Sequence, residues 1–172
     1  EGSEAGEAEM AATGSNQAYL TVDLGGGFAL DPFFVSVNGG GPVDASTLDS
    51  ACVGWVSERP VMQLNWSGTA EFAEAFIYSD HNPSLVIEAP DGSFICNDDT
   101  NDMLLDPTIE VANPITGTYN VWIGNIDNQG LIPTVLVLTS RAEINTGTFD
   151  LTNLVKRPAI REVRLDAADA IP

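Results

Sequence analysis

The chain has 172 residues, enough for one domain with a substantial core, and two independent domains are not expected. Six Lys and Arg residues stand against 25 Asp and Glu residues, and the formal net charge of -19 repels nucleic acid phosphates and anionic lipid surfaces. No apolar run approaches the roughly 18 residues that span a bilayer. Nucleic acid binding and membrane insertion are therefore set aside.

The first residues predict a tail followed by a strand. Residues 1–17 are small, acidic and without periodicity, which is typical of a solvated N-terminal tail. The chain starts without Met or an apolar leader, so we expect a mature form whose export signal was removed or never included. From Ala18 the apolar residues alternate, and this predicts a half-buried strand. One face of that strand carries Ala18, Leu20, Val22 and Leu24.

The rest of residues 18–140 reads as short strands separated by turns, which predicts an all-β sandwich domain. The glycine runs at 25–27 and 39–41 are read as turns, and Asp91-Gly92 is the strongest hairpin signal in the chain. In the segment GTYNVWIG, Tyr119, Val121 and Ile123 share one face and Trp122 lies on the other. Likewise, one face is shared by Met62, Leu64 and Trp66.

Residues 141–172 form a C-terminal extension with two more alternating stretches, FDLTN and REVRLDA. Both are strand candidates beyond the domain itself. The extension also differs in charge, because residues 1–140 hold 20 acids and one base whereas 141–172 hold five of each. An acidic body is thus followed by a neutral tail that carries most of the cations.

Cys52 and Cys96 are the two cysteines. An even count in so acidic a chain suits an oxidising compartment, where one bridge between them is the simplest outcome. Such a bridge would contribute about 4 kcal/mol by restricting the unfolded chain. Two buried free thiols are the alternative.

Residues 50–140 resemble the bacterial pre-peptidase C-terminal domain, a jelly-roll-like β-sandwich family found on secreted proteins. The similarity is carried, in this order, by CVGWVS, LNWSG, PSLVIEAPDGSFICNDDT and NPITGTYNVWIGN. It implies a jelly-roll-like antiparallel β-sandwich, here with extra N- and C-terminal strands. It also implies an extracellular or periplasmic module, often an accessory to a larger secreted enzyme, and a bond between Cys52 and Cys96. We expect a secreted protein located outside the cell or on its surface.

Calcium is the cofactor that this resemblance suggests, because the similar collagen-binding domains of bacterial collagenases use it. Asp98 and Asp99 match the calcium-binding turn of those domains. The residues themselves point the same way, since calcium prefers six to eight oxygen ligands and five candidate ligands lie within ten positions. A solvated acidic turn is the alternative. The candidate ligands are Asn97, Asp98, Asp99, Asp102 and Asp106.

A catalytic site has little support in the sequence. His81 is the single histidine and lies in the turn-like segment SDHNP, so a site built from several histidines is excluded. Core packing is the favoured role for at least two of Trp55, Trp66 and Trp122, with a binding platform as the alternative. We therefore expect a protein that is not an enzyme.

Assembly is the favoured function, because strand-like segments flank the domain and most cations lie in the tail. A strand added to the sheet edge of another copy buries an apolar face, and head-to-tail contacts can propagate as a filament. One alternative is that both segments simply complete their own sandwich. A second alternative for the function is a calcium-supported module that binds a surface polymer or a protein. The candidate assembly residues are Leu20, Val22, Leu24, Arg161, Val163, Arg164 and Leu165.

Overall fold

A computed structural model describes residues 17–150, and these residues form a β-sandwich with one short 3-10 helix at Ala45–Thr47. Among them, no helix is long and apolar enough to cross a membrane. The all-β prediction is confirmed. The strands are β1 (Leu20–Gly25), β2 (Phe33–Gly39), β3 (Val43–Asp44), β4 (Trp55–Val56), β5 (Met62–Ser67), β6 (Phe72–Tyr78), β7 (Pro83–Glu88), β8 (Phe94–Asn97), β9 (Thr108–Ala112), β10 (Gly117–Asn125) and β11 (Ile132–Thr139).

The first sheet is built around β10, which pairs with β5 along one side and with β7 along the other. β1 lies outside β5, and β8 lies outside β7. The short strands β3 and β4 pair with each other and join the sheet at Asn125, the last residue of β10. The second sheet has the order β2-β11-β6-β9.

Among the strands described above, the pairs are antiparallel with one exception, since β1 runs parallel to β5. This departs from the predicted antiparallel sandwich. The physical reason is that the chain leaves β1, crosses to the second sheet as β2, and returns before β5 begins, so no hairpin joins the paired strands. Gly25 and Gly26 permit the crossing, because a Cβ atom on Gly26 would lie 1.8 Å from the carbonyl oxygen of Thr69.

The core between the sheets has the composition that the alternation predicts. Met62, Leu64 and Trp66 of β5 are buried, and so are the inward side chains of β10, namely Tyr119, Val121 and Ile123. From the second sheet, Ala75, Ile77, Leu136 and Leu138 join the same cluster. Two tryptophans, Trp66 and Trp122, are therefore buried as predicted, whereas Trp55 is half-buried.

A second, smaller apolar cluster lies on the other face of the first sheet, where Trp122 was predicted to point. Trp122 packs there with Val86, Val56 and Ala45. The Cys52–Cys96 disulfide borders this cluster, which confirms the predicted bridge. Disulfides persist in oxidising compartments, so this is the structure of a secreted or periplasmic protein.

The segment ACVGWVS lies within residues 18–140, where short strands were expected, but it is mostly loop. Only Trp55–Val56 pairs as a strand. Gly54 interrupts it with a φ of +93°, a left-handed conformation that L side chains avoid. Cys52 is tied to β8 through the disulfide instead of through a hydrogen-bonded ladder.

The predicted hairpin at Asp91-Gly92 connects β7 to β8. Gly92 has a φ of +84°, and a Cβ atom there would meet nothing within 4 Å. Replacing Gly92 with Ala should therefore cost only backbone strain, about 1 kcal/mol of unfolding free energy. Urea denaturation measures this loss. Gly92→Asn is the control and should lose less, since Asn tolerates the left-handed conformation; equal losses would show that strain is not the cause.

Candidate functional site

Among the described strands, β1 forms one edge of the first sheet. Its apolar face, Leu20, Val22 and Leu24, packs against the main core, and its residues pair in register with Met62 through Ser67 of β5. The partner strand belongs to the same chain, so in this structure the predicted N-terminal assembly residues complete their own sandwich. On its other side, β1 pairs with none of the strands within residues 17–150.

A polar row on the solvent face fixes β1 to its neighbours. The Nδ2 atom of Asn65 donates to Oδ1 of Asp23 over 2.8 Å, and the Thr118 hydroxyl donates to Oδ1 of Asn65 over 2.9 Å. At the start of the strand, the Arg59 guanidinium lies 4.3 Å from the ring centroid of Tyr19. These contacts are exposed, so they set the register of β1 more than they stabilise it.

The four predicted C-terminal assembly residues, Arg161, Val163, Arg164 and Leu165, lie outside the described residues. The strand candidate REVRLDA lies there as well. Of the candidate FDLTN, Phe149 and Asp150 are described, and neither belongs to a strand. Both C-terminal strand predictions therefore stay predictions.

Residues 141–150 fold back onto the second sheet and cover the face turned away from the core. Phe149 stacks on Tyr78 with ring centroids 5.5 Å apart and meets Phe76 edge-on at 5.6 Å. The Tyr78 hydroxyl lies within hydrogen-bond distance of two backbone oxygens of this segment, Thr146 O at 2.8 Å and Phe149 O at 3.2 Å. Phe76 and Val137 are consequently fully buried although they point away from the core.

Asp31 connects this C-terminal segment to the body. Its buried carboxylate accepts hydrogen bonds from the Thr139 hydroxyl at 2.5 Å and from the Ser140 amide and hydroxyl at 2.9 and 2.8 Å. The guanidinium of Arg141 donates to the Asp31 backbone oxygen. Asp31 therefore fixes the point at which the chain leaves β11.

Glu74 is a buried carboxylate on the same outer face. It is 9% exposed, and its Oε1 atom has no hydrogen-bond partner. In the sheet register it lies between Thr139 of β11 and the exposed Glu110 of β9. Burial raises the pKa of Glu74, and the negative charge of Glu110 raises it further.

The acidic loop between β8 and β9 carries the predicted calcium ligands. Thr100 organises it, because its amide donates to the backbone oxygens of Leu104 and Asp106 and its hydroxyl also donates to the latter. The Nδ2 atom of Asn97 donates to Thr108 O over 2.7 Å, which ties the two strand ends together. The loop is thus closed by its own hydrogen bonds.

The five candidate ligands are not gathered at one point. The carboxylate of Asp106 accepts a hydrogen bond from the Ser79 amide in the turn between β6 and β7, and burial raises its pKa. Within residues 17–150, no three His, Cys, Asp or Glu side chains are arranged to hold a metal ion. Calcium binding by this loop stays a prediction.

Thermal melting with added calcium and with chelator tests that prediction. A calcium ion bound by these ligands would stabilise the folded protein, so the prediction expects a higher Tm with calcium than with chelator. This rise should be lost in Asp98→Ala/Asp99→Ala, and the same Tm in both conditions would contradict the prediction.

The tip of the same loop exposes consecutive apolar side chains, a feature that the sequence analysis missed. Met103 is 91% exposed, Leu105 53% and Leu104 42%. The signal was present in the sequence as the run MLL between Asp102 and Asp106. Exposed apolar tips of this kind are candidate contacts for other macromolecules.

The single histidine lies in the turn between β6 and β7. The His81 backbone amide donates to the Ser79 hydroxyl oxygen over 3.1 Å, and that hydroxyl donates to Pro133 O over 2.9 Å. The hydroxyl nearest to His81 in sequence is therefore engaged in holding the turn.

Comparison with known proteins gives no family. No family model matches this sequence. No curated protein matches it either. Among solved structures, it is similar to PliG of Aeromonas hydrophila, a periplasmic inhibitor of g-type lysozyme, with a TM-score of 0.41 and 13% identity over 69% of this chain and 96% of that one. Similarity at this level carries no inference about function, and the resemblance to pre-peptidase C-terminal domains stays a prediction.

Proposed function

We propose that this protein is a non-enzymatic structural subunit that acts outside the cell and assembles with copies of itself into a filament by exchanging its N-terminal strand. In the assembled form, β1 of one copy occupies the position beside β5 of the next. The observation that carries the proposal is the placement of β1: within residues 17–150 it is the first strand, it pairs with β5 alone, and it forms one edge of its sheet.

Exchange keeps every contact that β1 makes in one chain. The six residue pairs between Leu20–Gly25 and β5 form equally well when the two strands come from different copies. Leu20, Val22 and Leu24 then bury their apolar face against the core of the neighbour. When each copy gives β1 to the next copy and receives β1 from the previous one, the contact is heterologous and can propagate.

The charge distribution favours a head-to-tail arrangement. Residues 17–150 contain 18 acids and two bases, whereas residues 151–172 contain three acids and four bases. Two bodies of the same sign repel each other, which disfavours contacts between like surfaces.

Size-exclusion chromatography with light scattering and negative-stain microscopy tests the assembly. We expect species well above the 18.2 kDa monomer, and filaments in the micrographs. Val22→Asp places a charge on the inner face of β1 and should abolish them, whereas Thr21→Asp, on the exposed face, should leave them intact. Circular dichroism checks that both variants fold. A wild-type protein that stays monomeric at all concentrations would contradict the proposal.

A further variant separates β1 from the other exposed apolar surface. Met103→Ser/Leu105→Ser removes two exposed side chains from the tip of the β8–β9 loop and should leave assembly unchanged. If this variant were monomeric and Val22→Asp still assembled, the interface would be the loop tip and strand exchange would be wrong.

A further inference from the structure

The outer face of the second sheet has an incomplete polar contact at its centre. Glu74 is nine-tenths buried, yet its Oε1 atom has no partner among hydrogen-bond donors. Buried carboxylates are ordinarily paired, because a buried polar atom without a hydrogen-bond partner destabilises the fold. Glu110, opposite Glu74 on the adjacent strand, is exposed and adds a second negative charge. The two neighbouring negative charges of Glu74 and Glu110 favour a cationic side chain beside them.

Within residues 17–150, the two cationic side chains are engaged elsewhere. Arg59 lies over the ring of Tyr19. The Arg141 guanidinium binds Glu143 through an ion pair of 2.6 Å and also donates to the Asp31 backbone oxygen. Both therefore already have partners.

The remaining cations follow Asp150 in the sequence, and the chain reaches residue 150 on this very face. Phe149 rests on Tyr78 and Phe76, and Glu74 is only two residues from Phe76 on the same face of β6. Two residues of a strand span about 7 Å. Lys156 and Arg157 follow Phe149 by seven and eight residues, a length that reaches at most about 25 Å when extended.

We propose that residues 151–172 dock on the outer face of the second sheet of their own chain and place Lys156 or Arg157 against Glu74 and Glu110. Residues 151–172 are the proposed occupant for two reasons. The chain reaches this face at Phe149, and the positive charges of Lys156 and Arg157 are opposite to the charges of the two acids. Docking within one chain is favoured over docking between chains because the short connection gives a high effective concentration. This contact does not depend on strand exchange, since it uses the other sheet.

Cross-linking with a zero-length carbodiimide tests the proposal on the full chain, because Lys156 is the only lysine. We expect an amide bond between Lys156 and Glu74 or Glu110, identified by mass spectrometry, that is lost in Lys156→Arg. An equal mixture of 14N- and 15N-labelled protein distinguishes the source of the lysine. The proposal is supported if every cross-link joins two residues that carry the same isotope. Cross-links between a 14N and a 15N chain, or between Lys156 and other acids, overturn it.

Melting experiments give an independent test that does not require Glu74 to react. Lys156→Gln/Arg157→Gln should lower Tm by about 2–4 °C, a shift typical of losing one partly buried ion pair in a chain of this size. In a Glu74→Gln/Glu110→Gln background the same change should have no effect. Arg161→Gln/Arg164→Gln is the matched control and should lower Tm less. Equal effects in both backgrounds would overturn the proposal even if the cross-link failed to form.

Discussion

Replacement of both cysteines by Ala lowers the free energy of unfolding by about 4 kcal/mol, the largest single loss that we expect in this protein. Cys52 and Cys96 are 44 positions apart, so the bridge removes many conformations from the unfolded chain. It also holds the loop before β4 against the small cluster around Trp122 and Val86. Few strand hydrogen bonds attach this loop to the sheet.

Urea denaturation of the oxidised, reduced and Cys52→Ala/Cys96→Ala proteins measures this loss. The reduced protein and the double variant should agree, because both lack the cross-link while the cluster keeps its other side chains. If the double variant were as stable as the oxidised protein, the second cluster would be stable without the bridge and the account of this loop would be wrong.

Substitution of Asp31 by Ala has the second largest expected effect, about 3 kcal/mol, because it leaves several donors in a buried region without their charged acceptor. The Thr139 hydroxyl and both donors of Ser140 lose their partner. The C-terminal segment should then detach from the second sheet and expose Phe76. Limited trypsin digestion detects this as faster cleavage after Arg141, since the chain has only six Lys and Arg residues.

Asp31→Asn is the control for this experiment. It keeps one oxygen acceptor and the shape of the side chain, so its loss of stability and its cleavage rate should lie between those of wild type and Asp31→Ala. Unchanged cleavage after Arg141 in Asp31→Ala would show that Asp31 does not hold the segment.

Much of the sandwich followed from alternation in the sequence. The faces of β5 and β10 were predicted residue by residue, down to Trp122 pointing away from the main core, because side chains in a strand alternate whatever the tertiary fold. The hairpin at Asp91-Gly92 was predictable for a local reason as well, since its turn requires a positive φ. Contacts between strands distant in sequence were not predictable in this way, and the parallel pairing of β1 is one of them.

Residues 141–150 cover the outer face of the second sheet, and this contact could not be predicted from alternating apolar residues. AFIY in β6 and VLVL in β11 are apolar at consecutive positions, as is typical of strands buried on both faces. Such a run shows that something covers the outer face without showing what it is. Phe149 supplies the cover, although the sequence placed it in a strand candidate beyond the domain.

The candidate functional residues were harder to predict than the fold, because their roles depend on convergence in space. The acids of the β8–β9 loop are close in sequence, yet Asp106 turns toward Ser79. Glu74 and Asp31, in contrast, stand among ordinary residues and become notable only because the fold buries them. The burial and the hydrogen-bond partners of a carboxylate cannot be read from the sequence, because they depend on residues that only the fold brings together.

Strand exchange is tested most directly by a mixed disulfide between two different copies. Thr21 of β1 and Gln63 of β5 are register partners on the outer face, at a separation suited to a disulfide. A Thr21→Cys chain and a Gln63→Cys chain are refolded together, oxidised and separated by non-reducing electrophoresis. We predict a covalent dimer that contains one chain of each kind. A chain that carries both Thr21→Cys and Gln63→Cys is the control, and it shows whether the disulfide can form within one chain. If this control closes but the mixture gives no dimer, or gives only dimers of two Thr21→Cys chains, strand exchange is contradicted.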